Sequence, residues 1–250
     1  MSLHIKILIL NWNKKELLRS CIESVLKIDY SNFSVMVIDN CSTDGSQEMI
    51  KKNYPSVECM LLDKNYGFSN GYNNCFENLN NKDTDFVLLL NNDTEVDVNI
   101  LKAFNDARLT YGNNQIYGGK IFYQNDRNKI WYAGGNYNLK WFYIAHRGIR
   151  KKDSQEFSFV DETMYITGCC LFTSMKVIQR LNGFDTNFKM YGEDVDFCIR
   201  AKEINIKCYY CPDAKLWHHI SASLGGKYTF KKLRRKFIGI KRLVFKHYWT

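Results

Sequence analysis

The 250-residue chain lacks several features that would assign it to other classes of protein. It has only two prolines, Pro55 and Pro212, and no Gly/Ser/Pro-rich linker, which predicts one compact domain. No apolar run approaches the roughly 18 residues of a membrane span, and no secretory signal opens the sequence. The nine cysteines have no framework spacing, so we expect reduced thiols and a cytoplasmic protein.

Acidic residues are absent after Asp213, whereas the segment from Lys215 to Lys246 holds ten of the 35 basic residues. The rest of the chain carries 25 basic and 26 acidic residues and is close to neutral. A nucleic-acid-binding protein usually spreads its basic groups over a binding face. The net charge of +9 instead belongs to a C-terminal appendage, so we expect no nucleic acid as partner.

Apolar runs and helical periodicity alternate along the chain. Strands are predicted at residues 5–10, 33–38, 58–62 and 86–90. Helices are predicted at residues 14–26, 46–52, 71–79 and from 193–194 to about 203. Asn13 is predicted to cap the first helix, with Glu16 as its capping-box partner. This alternation indicates βαβ units, and therefore an α/β fold with a mostly parallel sheet.

Three polar clusters follow three of these strands, at residues 11–13, 39–46 and 91–93. Each alone is ordinary turn chemistry, because Asn, Asp, Ser and Gly dominate loops. Open parallel sheets, however, bind ligands outside the carboxyl ends of their strands. Three such clusters on one edge therefore predict a ligand site.

More specific motifs stand in a fixed order along the chain. They are Val37-Ile-Asp-Asn-Cys-Ser-Thr-Asp-Gly-Ser46, Asn65-Tyr-Gly-Phe-Ser-Asn-Gly-Tyr-Asn73, Ile130-Trp-Tyr-Ala-Gly-Gly135, Thr167-Gly-Cys-Cys170, Asn182-Gly-Phe-Asp185, Tyr191-Gly-Glu-Asp-Val-Asp-Phe-Cys-Ile-Arg200 and Pro212-Asp-Ala-Lys-Leu-Trp-His-His219, which runs on to Gly226. Together they resemble glycosyltransferase family 2 and its GT-A fold. The resemblance is strongest to bacterial enzymes of polysaccharide and O-antigen synthesis, many of them called rhamnosyltransferases.

The resemblance covers about residues 5–226 and implies a GT-A nucleotide-diphospho-sugar transferase domain at residues 1–226. This fold has a mostly parallel central sheet with helices on both faces. The implied reaction is inverting transfer of a sugar from a UDP- or dTDP-sugar to a hydroxyl of a glycan. Residues 227–250 then form a separate basic, amphipathic helical segment.

A divalent cation, Mn²⁺ or Mg²⁺, is implied at Asn91-x-Asp93, which stands where the family carries its DxD motif. Asp93 offers a hard anionic oxygen, but Asn91 offers only a neutral amide, so metal affinity should depend on the donor's phosphates. By analogy with a family histidine, His218 is the second candidate ligand. His219 is its alternative, since neighbours on an extended segment point in opposite directions.

The general base that the resemblance implies is Asp194, beside Glu193. A carboxylate within hydrogen-bond reach can take the proton of an acceptor hydroxyl. We expect Asp194 near a helix N-terminus, where the helix dipole favours the ionised form and lowers basicity. The alternative is a capping carboxylate, which is common at helix starts.

Asp39 is predicted to read the base, because a carboxylate accepts the N3–H of uracil or thymine and cytosine has no such donor. Asp44 is expected to contact the ribose or to hold its turn. The remaining nucleotide-binding candidates are Asn11, Asn65, Gly67, Gly71 and Asn92. Gly168 is expected beside the donor sugar, and the alternative role of this glycine is close packing. For Gly67 and Gly71 the alternative role is turn geometry.

The sequence disfavours three other functions. A sugar-phosphate nucleotidyltransferase should have a glycine-rich phosphate loop after the first strand, but residues 10–14 contain no glycine. A processive synthase needs a Gln-x-x-Arg-Trp motif and membrane spans, and the sequence has neither. A non-catalytic nucleotide-sugar-binding module is disfavoured by the intact set of Asp39, Asp93 and Asp194.

Near the C-terminus, Leu233, Phe237, Ile240 and Val244 recur at the spacing of one helical face, with basic residues around them. Such a helix can lie on an anionic membrane, which suits a lipid-linked acceptor at the cytoplasmic face. The alternative is packing on the catalytic core or on another subunit. The amphipathic run continues up to Thr250, so we expect the natural protein to be longer.

Overall fold

The structure is a computed structural model that describes residues 3–79, 84–188, 190–219 and 230–248. Its strands in this part of the chain are β1 Ile5–Asn11, β2 Phe33–Asp39, β3 Glu58–Leu61, β4 Phe86–Asn91, β5 Thr94–Val96, β6 Ile116–Tyr123, β7 Asp126–Tyr132, β8 Gly135–Asn138, β9 Tyr143–His146, β10 Asp161–Thr163, β11 Cys170–Ser174 and β12 Cys208–His218. Its helices are α1 Lys15–Val25, α2 Ser46–Asn53, α3 Gly67–Asn78, α4 Ile100–Tyr111, α5 Met175–Arg180, α6 Glu193–Glu203 and α7 Phe230–His247. The predicted domain boundary at residues 226 and 227 lies outside the described residues.

One large sheet organises the molecule, in the order β10-β12-β6-β11-β4-β1-β2-β3, with β5 beside β12 and β7 beside β6. Strands β1 to β4 pair in parallel, and β12 pairs in parallel with β6. Since β11 is antiparallel to both β4 and β6, six of the ten strands run in one direction. The predicted α/β class with a mostly parallel sheet is confirmed.

The centre of the sheet is its most apolar part. Phe86 to Leu90 of β4 are all buried, as expected for a central strand covered on both faces. Their neighbours Ile7, Leu8 and Ile9 of β1 are also fully buried. This rigid centre fixes the polar strand ends that follow it.

Helix α3 begins at Gly67, four residues earlier than predicted. Its first turn reads Gly-Phe-Ser-Asn and carries one large apolar residue, so periodicity alone does not reveal it. The aromatic ring of Phe68 lies 4.9 Å from that of Tyr72 and 5.3 Å from that of Phe184, measured between centroids. Tertiary packing of Phe68 therefore explains why the helix extends this far.

Helix α7 packs on the core with a face that is rotated from the predicted one. Leu243 and Val244 are buried, and a Cβ on Gly239 would lie 2.2 Å from the carbonyl oxygen of Tyr191. Leu233 and Phe237, which were predicted to share the face of Val244, are 55% and 62% exposed. The spacing still places these residues on one side of the helix, but that side is buried at Val244 and exposed at Leu233 and Phe237, so large apolar side chains of α7 remain uncovered.

Candidate active site

Three polar strand ends meet at one edge of the sheet. Asn11 at the end of β1 is the register partner of Asp39 at the end of β2. On the other side, Leu10 is the register partner of Asn91 at the end of β4. The predicted convergence at the carboxyl ends of parallel strands is therefore present in the fold.

Side chains at this edge form one hydrogen-bonded network. The Asp39 carboxylate accepts hydrogen bonds from Asn11 Nδ2 at 2.9 Å, Ser42 N at 2.8 Å and Gln47 Nε2 at 2.7 Å. Asn92 Nδ2 in turn donates to Asn11 Oδ1 at 2.6 Å. Asp39 has no exposed surface, because these neighbours cover it. Direct reading of a base by Asp39 stays a prediction that requires one of them to move aside.

Asp44 joins the starts of two helices. Its carboxylate accepts from the backbone N–H of Lys15 at 2.8 Å, at the start of α1, and from that of Ser46 at 3.1 Å, at the start of α2. The predicted capping box of Asn13 and Glu16 is wrong, since no side chain at the N-cap position of α1 makes a capping hydrogen bond. Asn13 adopts a φ of 58° and accepts instead from the N–H of Thr43. The Asp44 contacts support the turn-holding alternative.

The glycines of the Asn65 loop differ in what they do. Gly67 has a φ of 75°, which favours glycine, and its N–H donates to Asn65 Oδ1 at 2.9 Å. Gly71 lies inside α3, where a Cβ would come within 2.7 Å of Leu10 Cδ1 and 3.2 Å of Asn40 Nδ2. Space at Gly71 is therefore taken up by the protein, so packing of α3 on β1 accounts for this glycine.

The two predicted metal ligands lie side by side. His218 Nε2 is 3.1 Å from Asp93 Oδ1, and both side chains are at least nine-tenths buried. His219 points elsewhere, with its Nε2 3.6 Å from Glu95 Oε1. Asn91 is half-buried at the end of β4, two residues before Asp93. Of the two histidines, His218 is therefore the one placed against the aspartate.

The Asp93–His218 pair fits a divalent ion only with help from a ligand. Neighbouring ligands of an octahedral ion, with bonds of about 2.1 Å, lie about 3 Å apart, close to the spacing seen here. His218 Nδ1 is buried and has no hydrogen-bond partner among the described residues. No group of three His, Cys, Asp or Glu side chains suited to a metal occurs in the described ranges. Further ligands would therefore come from phosphates and water.

Asp194 and Glu193 begin helix α6. Asp194 Oδ2 accepts from the backbone N–H of Gly168 at 3.0 Å, and a Cβ on Gly168 would lie 2.6 Å from the Phe68 ring. Burial raises the pKa of Asp194, against the expectation that the helix dipole lowers it. Burial and the charge of Asp194 also raise the pKa of Glu193 to about 8. Of the two carboxyls, Glu193 is therefore the one that keeps its proton to the higher pH.

A cavity of about 380 Å³ opens at these carboxyls. Its walls include Trp131, His146 and Tyr165. The Trp131 ring lies 4.7 Å from that of His218 and 4.4 Å from that of His146, both edge to face. Trp131 thus separates the Asp93–His218 pair from the cavity by one aromatic ring.

The family model for glycosyl transferase family 2 matches residues 6–181, well over half of the chain. The chain is a member of glycosyl transferase family 2. A curated relative in Mycobacterium tuberculosis, the N-acetylglucosaminyl-diphospho-decaprenol L-rhamnosyltransferase, is 24% identical. That match covers 77% of this chain and 68% of the relative. Membership in this family argues against the alternative of a sugar-phosphate nucleotidyltransferase.

Solved structures show the same GT-A fold. The structure of GalNAc-T7 with UDP, GalNAc and Mn²⁺ superposes with a TM-score of 0.70 at 14% identity, over 86% of this chain. Staphylococcus aureus TarS superposes with a TM-score of 0.61 at 17% identity, over 88% of this chain. This glycosyltransferase spans 44% and 37% of the lengths of those two proteins.

For several residues of this family 2 glycosyltransferase, the sequence carries little or no signal of a functional role. Trp12 is 53% exposed beside Asn11 at the polar edge of the sheet, although its position inside a predicted polar cluster could have marked it. Trp131 belongs to a motif that resembled the family, yet aromatics are more often core residues. His146 carried no signal in the sequence. Burial lowers its pKa to about 4, so its imidazole is neutral at neutral pH.

Proposed function

We propose that this enzyme transfers one sugar, with inversion, from a UDP- or dTDP-sugar to a hydroxyl of a glycan in polysaccharide or O-antigen synthesis. One observation carries the proposal: Trp131 touches His218 on one side and lines the Asp194 cavity on the other. A leaving diphosphate at the Asp93–His218 pair and an acceptor at Asp194 would therefore lie close together, since both sites border the same Trp131 ring.

The donor side is supported by the network of Asn11, Asp39 and Asn92 at the strand ends. Exposed Trp12 offers a flat surface on which a base can stack. Asp93 and His218 would hold Mn²⁺ or Mg²⁺, with Asn91 as a neutral neighbour. When bound, such an ion neutralises charge that develops on the leaving diphosphate.

The acceptor side is supported by Asp194. Its carboxylate takes the proton from the acceptor hydroxyl, whose oxygen forms the new bond on the face opposite the diphosphate. A single displacement of this kind inverts the anomeric centre. Gly168 holds Asp194 in place through its backbone N–H, and burial beside Asp194 keeps Glu193 neutral, which leaves Asp194 as the base.

Metal dependence is tested at Asp93. Mn²⁺ should strengthen the binding of UDP or dTDP to the parent protein and have no effect on Asp93→Ala, because His218 alone is a weak site. Isothermal calorimetry with each nucleotide, with and without Mn²⁺, measures both the effect and the preferred base. Asp106→Ala, at an exposed acid on α4, is the matched control and should behave like the parent. Equal affinity with and without Mn²⁺ in the parent would remove Asp93 from this role.

The outer face of α7 supports a lipid-linked acceptor at the cytoplasmic face of a membrane. Leu233, Phe237 and Phe245 are each more than half exposed. The exposed basic residues Arg234 and Lys241 lie among them on the helix. No helix in the described ranges is long and apolar enough to cross a membrane. Contact through α7 would therefore be peripheral, with apolar side chains in the headgroup layer.

Membrane contact is tested with vesicles. The parent protein should sediment with phosphatidylglycerol vesicles at low salt and be released by about 0.5 M salt, where screening shortens the reach of charge to a few ångströms. Phe237→Ser should weaken this binding about tenfold or more, because a buried Phe contributes about 1.5–3 kcal/mol. Leu109→Ser, at a residue of α4 that is 65% exposed, is the matched control. A parent protein that stays in the supernatant at low salt has a purely structural α7.

A further inference from the structure

Helix α7 forms one wall of the cavity at the catalytic carboxyls. Lys236 and Ile240 of α7 line it, facing Glu193 and Asp194 at the start of α6. Other walls come from Trp131 of β7, from β9 and from the segment around Tyr165, so distant parts of the chain build one enclosure. The docked side of the appendage is thus part of the active site.

The cavity contains an unsatisfied polar atom. Glu193 is only 9% exposed, and its Oε2 has no hydrogen-bond partner in the described part of the chain. A buried polar atom without a partner is costly, and a bound ligand commonly supplies the missing partner. A sugar hydroxyl or amide oriented toward Glu193 would do so. The cavity is therefore suited to a polar ring, with aromatic walls for its apolar faces.

Among the described lining residues, Lys236 supplies the positive charge of the cavity. Lys236 is the only Lys or Arg among the described lining residues, and His146 is neutral at neutral pH because of its burial. The Lys236 ammonium nitrogen lies 5.8 Å from the centre of the Tyr191 ring, and the residue is exposed to solvent. The cation thus stands at the rim, above a floor that holds the carboxyls.

The backbone beneath Lys236 is held firmly. Gly239 lets α7 approach the carbonyl of Tyr191 closely. One helical turn further on, Leu243 and Val244 are buried in the core. The Cα of Lys236 is therefore held at this wall before any ligand binds.

On the basis of the proposed transfer reaction, we infer that Lys236 binds an anionic group of the acceptor. The acceptor class is a sugar whose anomeric oxygen carries a phosphate or diphosphate, with the ring in the cavity and the phosphate at the rim. Lys236 is then a residue that determines acceptor specificity. A neutral glycoside would occupy the same cavity without this contact.

The inference is tested by calorimetry on the full chain with two probes that share one alkyl group. One probe is an alkyl N-acetylglucosaminyl diphosphate, and the other is the alkyl N-acetylglucosaminide without phosphates. Lys236→Ala should weaken binding of the diphosphate probe about tenfold or more and leave the neutral probe unchanged, because only the charged contact is lost. Lys236→Arg should retain most of the affinity. Lys176→Ala, at an exposed residue of α5 outside the cavity, is the control.

Three outcomes would overturn the inference: equal weakening of both probes, no effect of Lys236→Ala, or no binding of either probe to the parent. Inorganic diphosphate and phosphatidylglycerol vesicles serve as further arms. If they show the same dependence on Lys236 as the sugar diphosphate, the residue binds phosphate without regard to the acceptor, and the inference also falls. Nucleotide binding with Mn²⁺ and hydrolysis of the donor sugar report on the proposed function separately, so its failure is distinguishable.

Discussion

Asp194→Asn should bind nucleotide as the parent does and lose about two to four orders of magnitude in transfer rate. Asparagine keeps the shape of the side chain and an oxygen that can accept from Gly168 N–H. It cannot take a proton from the acceptor hydroxyl. The loss should therefore appear in kcat, with little change in the affinity for the donor.

The pH profile provides a second measurement on the same variant. The base must be ionised, and burial raises the pKa of Asp194, so activity should fail on acidification at a higher pH than for an ordinary aspartate. Proton NMR of the product should show an inverted anomeric centre. Asp106→Asn is the control for the substitution itself. Near-normal transfer by Asp194→Asn would leave Asp194 as a helix cap, and a retained configuration would exclude the single displacement.

Asp196→Asn should lower the free energy of unfolding by about 3–5 kcal/mol, the usual cost of removing one partner from a buried ion pair. Asp196 has no exposed surface and lies 2.8 Å from Arg200 Nε, 2.6 Å from Lys246 Nζ and 2.7 Å from His247 Nε2. Although burial favours the neutral acid, hydrogen bonds from His247 and Lys246 and the charge of Arg200 lower its pKa. The substitution would leave these groups without their shared anion.

Denaturant unfolding of Asp196→Asn and the parent measures this loss. Asp161→Asn is a suitable control, because Asp161 pairs with Arg147 at 2.6 Å on the surface and such pairs contribute about 0–1 kcal/mol. Lys246 and His247 belong to α7, so the variant should also weaken binding of the sugar diphosphate probe. A loss no greater than that of the control would mean that α7 is held mainly by Leu243 and Val244.

The parallel half of the fold could be predicted because its information is local. The apolar run of residues 86–90 is long enough to identify a central strand, and the strand ends at Asn11 and Asp39 follow from the same periodicity. Parallel pairing then brings those ends together without knowledge of any side-chain contact. The pairing of Asp93 with His218 needed the family resemblance, since 125 residues separate them.

Other features depend on contacts that local sequence does not reveal. The first turn of α1 was assigned to Asn13 and Glu16, but Asp44 from the next loop supplies the hydrogen bond. The predicted direction of the Asp194 pKa shift is wrong, because burial outweighs the helix dipole. The sequence does not show how deeply a side chain is buried. The cavity itself joins residues between Trp131 and Ile240, which only the finished fold brings together.

Lys236 and Phe237 are consecutive residues, yet one lines the cavity at Glu193 and Asp194 and the other is exposed on the outside of the molecule. A helix advances only about 1.5 Å per residue, so a membrane that took up Phe237 would lie within a side chain's length of the cavity rim. The enzyme would then select acceptors by the distance of their sugar from the membrane surface. It would reach the sugar attached next to the lipid, while a longer glycan would carry its growing end out of range. Each lipid carrier would then receive this sugar once, early in assembly, because only a short glycan keeps its acceptor sugar within reach.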